Sequence, residues 1–283
     1  MSKRIREMKC TDLDFAAECA RETGRISETA EELENFLLCD AKGCWIAEYS
    51  RKPGGFCVAR SYGKFGFLGA IALDGIKSHP AFERELLDHA VKYLVQGGCE
   101  NVVAEVREGS VSGFESAGFV KLCRILQFAG NVYGRSHKHV RELRPQELSA
   151  IVGLDRHFFR ANRLYFLGRR FVLAPQFCKV LEMNGKIEGY IMARRADGIV
   201  PVGPWVISED VDCPADLLEA LAVEVRSEKL VVEVVDTNCE AVELLRAMGF
   251  VESPESTWRM LLGPQTSVGQ ADSIYAIGSP FMG

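Results

Sequence analysis

The strongest constraint on this chain is that it repeats itself. Gly55-Phe56-Cys57-Val58-Ala59-Arg60 returns as Gly189-Tyr190-Ile191-Met192-Ala193-Arg194, 134 positions later. At the same offset Cys44 matches Cys178, and Gly69 matches Gly203 ahead of an apolar run. Ile5-Arg6-Glu7-Met8 returns as Val140-Arg141-Glu142-Leu143, and Ala117-Gly118-Phe119 is answered by Met248-Gly249-Phe250. Matches in one order at nearly constant spacing mean one fold used twice, and a period of about 135 residues is a whole domain rather than a solenoid unit. The sequence therefore divides into residues 1–134 and 139–283, each long enough to bury its own core.

Composition narrows the function. Hydrophobic residues make up 47% of the chain and charged residues 26%, as in ordinary globular proteins. A net charge of −5 argues against nucleic acid as a partner, since no basic stripe is present. The longest nearly apolar run, Phe65 to Leu73, is too short to cross a bilayer, so no membrane partner is expected. Lys3, Arg4 and Arg6 are followed by no apolar stretch, so no signal peptide is read. The ten cysteines contain no Cys-x-x-Cys pair and mostly lie in apolar runs, which reads as free thiols without metal. Reduced thiols place the protein in the cytoplasm.

Each copy gives the same order of elements. In the first, a strand at Ile5–Met8 precedes two helices, and a hairpin runs from Trp45–Tyr49 through a turn at Arg51-Lys52-Pro53-Gly54 to Gly55–Arg60. Phe67–Leu73 is a continuous apolar run, the mark of a strand buried on both faces. Phe82, Leu86, Leu87, Ala90, Val91 and Leu94 form one face of a helix over 81–96. A buried strand at Asn101–Val106, a helix capped by Gly118, and a strand at Val120–Phe128 close the copy. The second copy repeats this with helix Leu148–Phe159, a hairpin about Asn184-Gly185, strands Val202–Ile207, Leu230–Val235 and Thr257–Leu262, and helices Ala215–Arg226 and Ala241–Met248. Ile274–Ile277 reads as a short edge strand. The fold class is α/β (α+β), a mixed, mostly antiparallel sheet flanked by helices in each half.

This order, with Gly-Phe after the last helix of each half, resembles the GCN5-related N-acetyltransferase (GNAT) superfamily. Gly189-Tyr190, Gly203-Pro204, Asn238, Met248-Gly249-Phe250 and Thr257-Trp258-Arg259-Met260 carry the resemblance in the second half, which is similar to the degenerate C-terminal domain of tandem members. The resemblance implies an acetyl-CoA-dependent N-acetyltransferase acting on a small-molecule or peptide amine, and a homodimer is within the family's habit. In the family, the loop after the fourth strand has the form Arg/Gln-x-x-Gly-x-Gly/Ala and holds the pyrophosphate on backbone N–H groups at a helix N-terminus. That places cofactor contacts here at Ala72, Leu73, Asp74, Ser78, His79, Ala81 and Phe82. Ser78 and Ala81 depart from the family pattern, and Glu83 stands where a small residue is expected. A carboxylate there suits a first helical turn but repels a pyrophosphate. The matching loop of the second copy, Ser208 to Asp216, is about three residues shorter, with four carboxylates and no glycine, so any acetyl-CoA belongs to the first copy.

Acyl transfer to an amine needs a base, because a protonated amine has no lone pair. By resemblance the base is a Glu on a central strand: Glu105 first, Glu48 second. A lone strand Glu is more commonly turned to solvent, and that is the competing reading of both. The family's Tyr acid falls at Phe114 in the first copy and Leu245 in the second, so neither half has it. His137 and His139 read as linker residues, and Arg156 to Arg170 as a helix with a basic rim or the lining of a cleft. The competing function is a non-catalytic member of the fold that binds a small ligand or a protein partner; the loop from Ser78 to Glu83 separates the two.

Overall fold

The computed structural model describes residues 3–22, 29–73, 80–209, 211–225, 228–264 and 271–279. The first half of the sequence forms β1 (Lys3–Glu7), α1 (Leu13–Glu22), α2 (Ala30–Cys39), β2 (Cys44–Tyr49), β3 (Lys52–Ser61), β4 (Phe65–Leu73), α3 (Pro80–Gln96), β5 (Asn101–Arg107), α4 (Val111–Ser116) and β6 (Val120–Gly130). The second forms β7 (Val140–Glu142), α5 (Leu148–Phe159), α6 (Leu164–Leu173), β8 (Cys178–Met183), β9 (Lys186–Ala193), β10 (Ile199–Ile207), α7 (Ala215–Ala222), β11 (Lys229–Val235), α8 (Cys239–Ala247), β12 (Val251–Glu252), β13 (Thr257–Leu262) and β14 (Ile274–Ala276).

The chain makes two compact units whose make-up differs from a simple cut in the middle. The first unit runs to Leu122 and takes β13 from Trp258 onward; the second takes β6 from Cys123. Within the first unit the strand order is β1-β2-β3-β4-β5-β13. Within the second it is β6-β11-β10-β9-β8-β7, with β12 on β6 and β14 on β10. Each repeat thus ends its own unit's sheet with a strand from the other half of the sequence.

The hairpins show why the halves look alike. The first turns at Ser50-Arg51, both with positive φ (49° and 67°), and the second at Asn184-Gly185 (52° and 79°). Two left-handed residues match the twist of a two-residue hairpin. The turn is therefore tighter than Arg51–Gly54, and Pro53 falls inside β3. It sits beside a register shift between Ala47 and Glu48, where a strand tolerates proline. Gly118 and Gly249 leave α4 and α8 at φ +90° and +84°, and the Phe that follows each is buried. A left-handed residue after a helix is glycine's place.

In the first unit Trp45, Ala47, Cys57, Ala59 and Leu68 pack with Phe82, Leu86, Leu87, Ala90 and Leu94 of α3. The alternating residues Ile46, Phe56, Val58 and Phe67 are buried on the opposite face, where α1 meets β3 and β4. In the second unit Phe177, Leu181, Ile191, Val202 and Val232 pack with Leu217, Leu218 and Leu221 of α7. On its other face Ile151, Phe158 and Leu167 cover Val180, Tyr190 and Met192. The basic segment is only partly a rim: Arg163 and Arg170 are buried. Arg163 donates to both oxygens of buried Asp155, and the Tyr190 hydroxyl donates to Asp155 as well. Burial and this carboxylate raise the Tyr190 pKa well above its usual value.

His137 bridges Glu219 (2.8 Å) and Asp216 (3.2 Å) of α7, fastening residues 131–139 there. All ten cysteines are free, and burial pushes Cys44 and Cys178 up to about 12. Among the described residues no helix is long and apolar enough to cross a membrane.

Candidate functional site

The parallel pair β4–β5 is hydrogen-bonded only from Phe65–Asn101 to Leu68–Ala104. Both strands run on, β4 to Leu73 and β5 to Arg107, so they diverge. The divergence starts at a bulge: Val58 faces Ala70 but Ala59 faces Leu68, leaving Gly69 as the extra residue.

The split holds a cavity of about 200 Å³ with walls from Leu68, Ile71, Ala72, Leu73, Ala104 and Val106. Its polar groups are Glu83, Glu105, Arg107 and Ser110, with Phe114 at one side. A second cavity of about 360 Å³ adjoins the same Glu83, Ser110 and Phe114 and is lined further by Arg84 and Leu87 of α3 and by Gly109, Ser112, Gly113 and Ser116. Aliphatic walls with a few polar side chains converging on them are the usual form of a small-molecule site.

Glu105 is the first residue of β5 past the last rung, and it is buried. Arg259 of β13 donates from Nη2 to its Oε1 at 2.6 Å. Arg259 is the contact that sequence reasoning missed; the only signal was a cation between Trp258 and Met260 in an otherwise apolar strand. Glu83, in the first turn of α3, accepts a hydrogen bond from Ser110 Oγ at 3.3 Å. That bond ties α3 to the segment leading into α4, across the wall shared by the two cavities.

The other expected residues fall as follows. Ala72 and Leu73 line the split. Phe82 is buried in the core under α3, and Ala81 lies in the first turn of α3. Asp74, Ser78 and His79 lie outside the described residues.

Glu48 stands apart from the split, in a clasp. Arg6 donates from Nε to Glu48 at 2.5 Å and from Nη1 and Nη2 to the two oxygens of Asp12 at 2.7 and 2.8 Å. The clasp recurs in the second unit, where Arg141 holds both oxygens of Glu147 and the carboxylate of Glu182. It binds the first strand, the start of the first helix and the hairpin in each copy. The guanidinium holds Asp12 and Glu147 below their usual pKa, and the carboxylates raise that of each arginine.

The second unit has the same split, differently filled. Pairing of β10 with β11 runs from Ile199–Lys229 to Val202–Val232, and β10 then bulges at Gly203-Pro204. Glu233 is the first residue past the rung, as Glu105 is, and receives Gln127 Nε2 of β6 at 3.2 Å. Here β14 pairs with β10 inside the opening. The edge position expected for Ile274–Ile277 is thus corrected: the run lies within the sheet, buried at Tyr275, Ala276 and Ile277.

Known proteins share this fold. The profile of a family described as an acetyltransferase (GNAT) domain matches residues 151–276. A putative acetyltransferase from Pyrococcus horikoshii superposes with a TM-score of 0.81 at 16% identity, covering 99% of this chain and 96% of that one. A GCN5-related N-acetyltransferase from Sphaerobacter thermophilus gives 0.67 at 13%, covering 95% and 98%. A tandem GNAT protein from the clavulanic acid biosynthesis pathway gives 0.68 at 12%, covering 94% and 100%. No curated protein sequence matches the chain. Residues 151–276 are thus similar to GNAT acetyltransferase domains. The chain as a whole is a tandem-domain protein of the GNAT fold.

Proposed function

We propose that this protein is an acyl-CoA-dependent N-acyltransferase, with acetyl-CoA in the split of the first unit and a small-molecule or peptide amine as acceptor. The observation that supports it is the open split itself: β4 and β5 part beyond Leu68 and Ala104 and leave a cavity floored by Glu105. Bound acetyl-CoA would supply an electrophilic thioester. Ala72 and Leu73 would line its path, and the apolar walls would exclude water that competes with the amine. Glu105 would take the proton from the attacking amine as nitrogen bonds to the acyl carbon and the carbon–sulfur bond breaks. Phe114 has no proton to give, so the thiolate leaves without help from that position. The free thiols support a reducing compartment, the cytoplasm.

One observation favours the second reading, a non-catalytic protein that binds a different ligand: the bond from Ser110 to Glu83 spans the cofactor's expected path. A carboxylate about 4 Å from a phosphate opposes it by about 1 kcal/mol in water and about 4 kcal/mol in a partly closed site. Calorimetric titration of the wild type and Glu83→Ala with acetyl-CoA at low salt decides between them. Binding by the wild type, strengthened about 5-fold or more in the variant, is expected from a difference of about 1 kcal/mol. No heat of binding from either protein at millimolar acetyl-CoA would overturn the enzyme reading and leave the ligand-binding one.

A further inference from the structure

We infer that the split of the second unit is a strand-binding slot whose ligand is the chain's own segment Ile274–Ile277, so that this copy takes a peptide where an acyl-CoA would otherwise lie. The companion statement, that the chain holds one acyl-CoA position, rests on the cofactor reading of the first unit; the slot does not.

Two parallel strands that diverge leave donors and acceptors on both inner edges, and a buried edge must find partners. The segment satisfies both. On one side it pairs antiparallel with β10, Trp205 facing Ala276 and Val206 facing Ile274. On the other, Ile277 N–H donates to the Glu233 carbonyl at 2.9 Å. Glu233 is the counterpart of Glu105, so the segment occupies the level at which the first unit has its cavity.

Side chains on the surrounding elements are committed to the segment. The Asn238 side-chain amide donates to the carbonyls of Asp272 (3.2 Å) and Ile274 (3.1 Å), while its oxygen caps α8 through Ala241 N–H. The Tyr275 hydroxyl donates to Glu240 of α8, and its ring lies 5.2 Å from that of Trp205. Burial, then Glu240, raises the Tyr275 pKa. Gly203 makes the fit specific: its φ is +149°, and a Cβ there would lie 1.8 Å from the Ile277 carbonyl oxygen. β10 is thus shaped around the segment's backbone, which marks a resident strand rather than a loose strap.

Hydrogen exchange read by mass spectrometry on the full chain tests this. The amides of 274–277 should exchange about 10³-fold or more slower than an unstructured peptide, and millimolar acetyl-CoA should not speed them. Gly203→Ala should abolish that protection while β2 and β3 keep theirs. If that variant does not fold, Asn238→Ala should speed exchange over 274–277 about 10-fold or more. Fast exchange in the wild type, acceleration by acetyl-CoA, or a folded variant with unchanged protection would overturn the slot. Calorimetry separates the two statements: one equivalent of acetyl-CoA supports both, and two equivalents refute the slot. No acetyl-CoA binding refutes the cofactor reading and leaves the slot to the exchange data.

Discussion

Arg259→Met should be among the most damaging single substitutions in the first unit, and the structure says by how much. The Glu105 side chain is 1% exposed and that of Arg259 11%, with 2.6 Å between Oε1 and Nη2. Unit charges about 4 Å apart attract by about 4 kcal/mol at the effective dielectric of a protein. Desolvation offsets most of this, so the intact pair adds little net stability, whereas removing one partner costs about 3–5 kcal/mol. The slight exposure of Arg259 lets water approach, so the lower end, about 3 kcal/mol, is expected. The partner change Glu105→Leu strands the guanidinium and should cost a similar amount. The double variant removes both charges and should return to within about 1 kcal/mol of the wild type. Guanidinium unfolding followed by tryptophan fluorescence measures all four proteins, since Trp45 and Trp258 report on the first unit and Trp205 on the second. A cost below about 1 kcal/mol for Arg259→Met, or additive single changes, would refute the argument that Glu105 is held as a charged partner of Arg259.

The clasps make acid sensitivity a second prediction. Asp12 and Glu147 titrate below their ordinary values of 3.8 and 4.5 when folded. A depressed folded pKa gives stability that is full above the unfolded value and lost as pH falls through the folded one. Urea unfolding should therefore show falling stability from about pH 5 to pH 3, with a shallower fall in Arg6→Ala and Arg141→Ala; an unchanged slope in both variants would count against the clasps. Gly55→Ala would put a Cβ 2.5 Å from Leu73 Cδ2 and 2.7 Å from the Ala72 carbonyl oxygen. It should lower stability by about 1–3 kcal/mol in a thermal melt, and a melt within 1 °C of the wild type would show that β4 yields freely there.

The repeat made the fold legible, because nearly constant offsets, 134 for the turn residues and bulge glycines and 131 for the helix-ending Gly-Phe pairs, relate residues whose backbone roles are local. Contacts between distant residues were not legible in the same way. A strand's apolar pattern says that it is buried but not by which neighbour, so nothing marked β6 and β13 as exchanged. The continuous run Ile274–Ile277 did carry a signal of burial on both faces, the one used for β4, but its shortness suggested an edge. Arg163 and Arg170 read as rim residues because nothing marked Asp155, which receives Arg163 and the Tyr190 hydroxyl, or the Gly203 carbonyl, which receives Arg170. In the site, the flanking valines showed that Glu105 belongs to a buried strand. The pairing of Glu48 with Arg6 lay 42 positions apart and was invisible.

The exchanged strands set a timetable for synthesis. A ribosome that has just finished α4 has made every helix and strand of the first unit except β13, the strand beside β5, which begins at Thr257. At about 5–20 residues per second, the first unit waits roughly 10–30 s with an unpartnered edge and with Glu105 lacking its arginine. During that interval the nascent chain is open to pairing with neighbours on the same message, and to holding chaperones. Either half of the sequence made alone would lack the strand that ends its own unit's sheet.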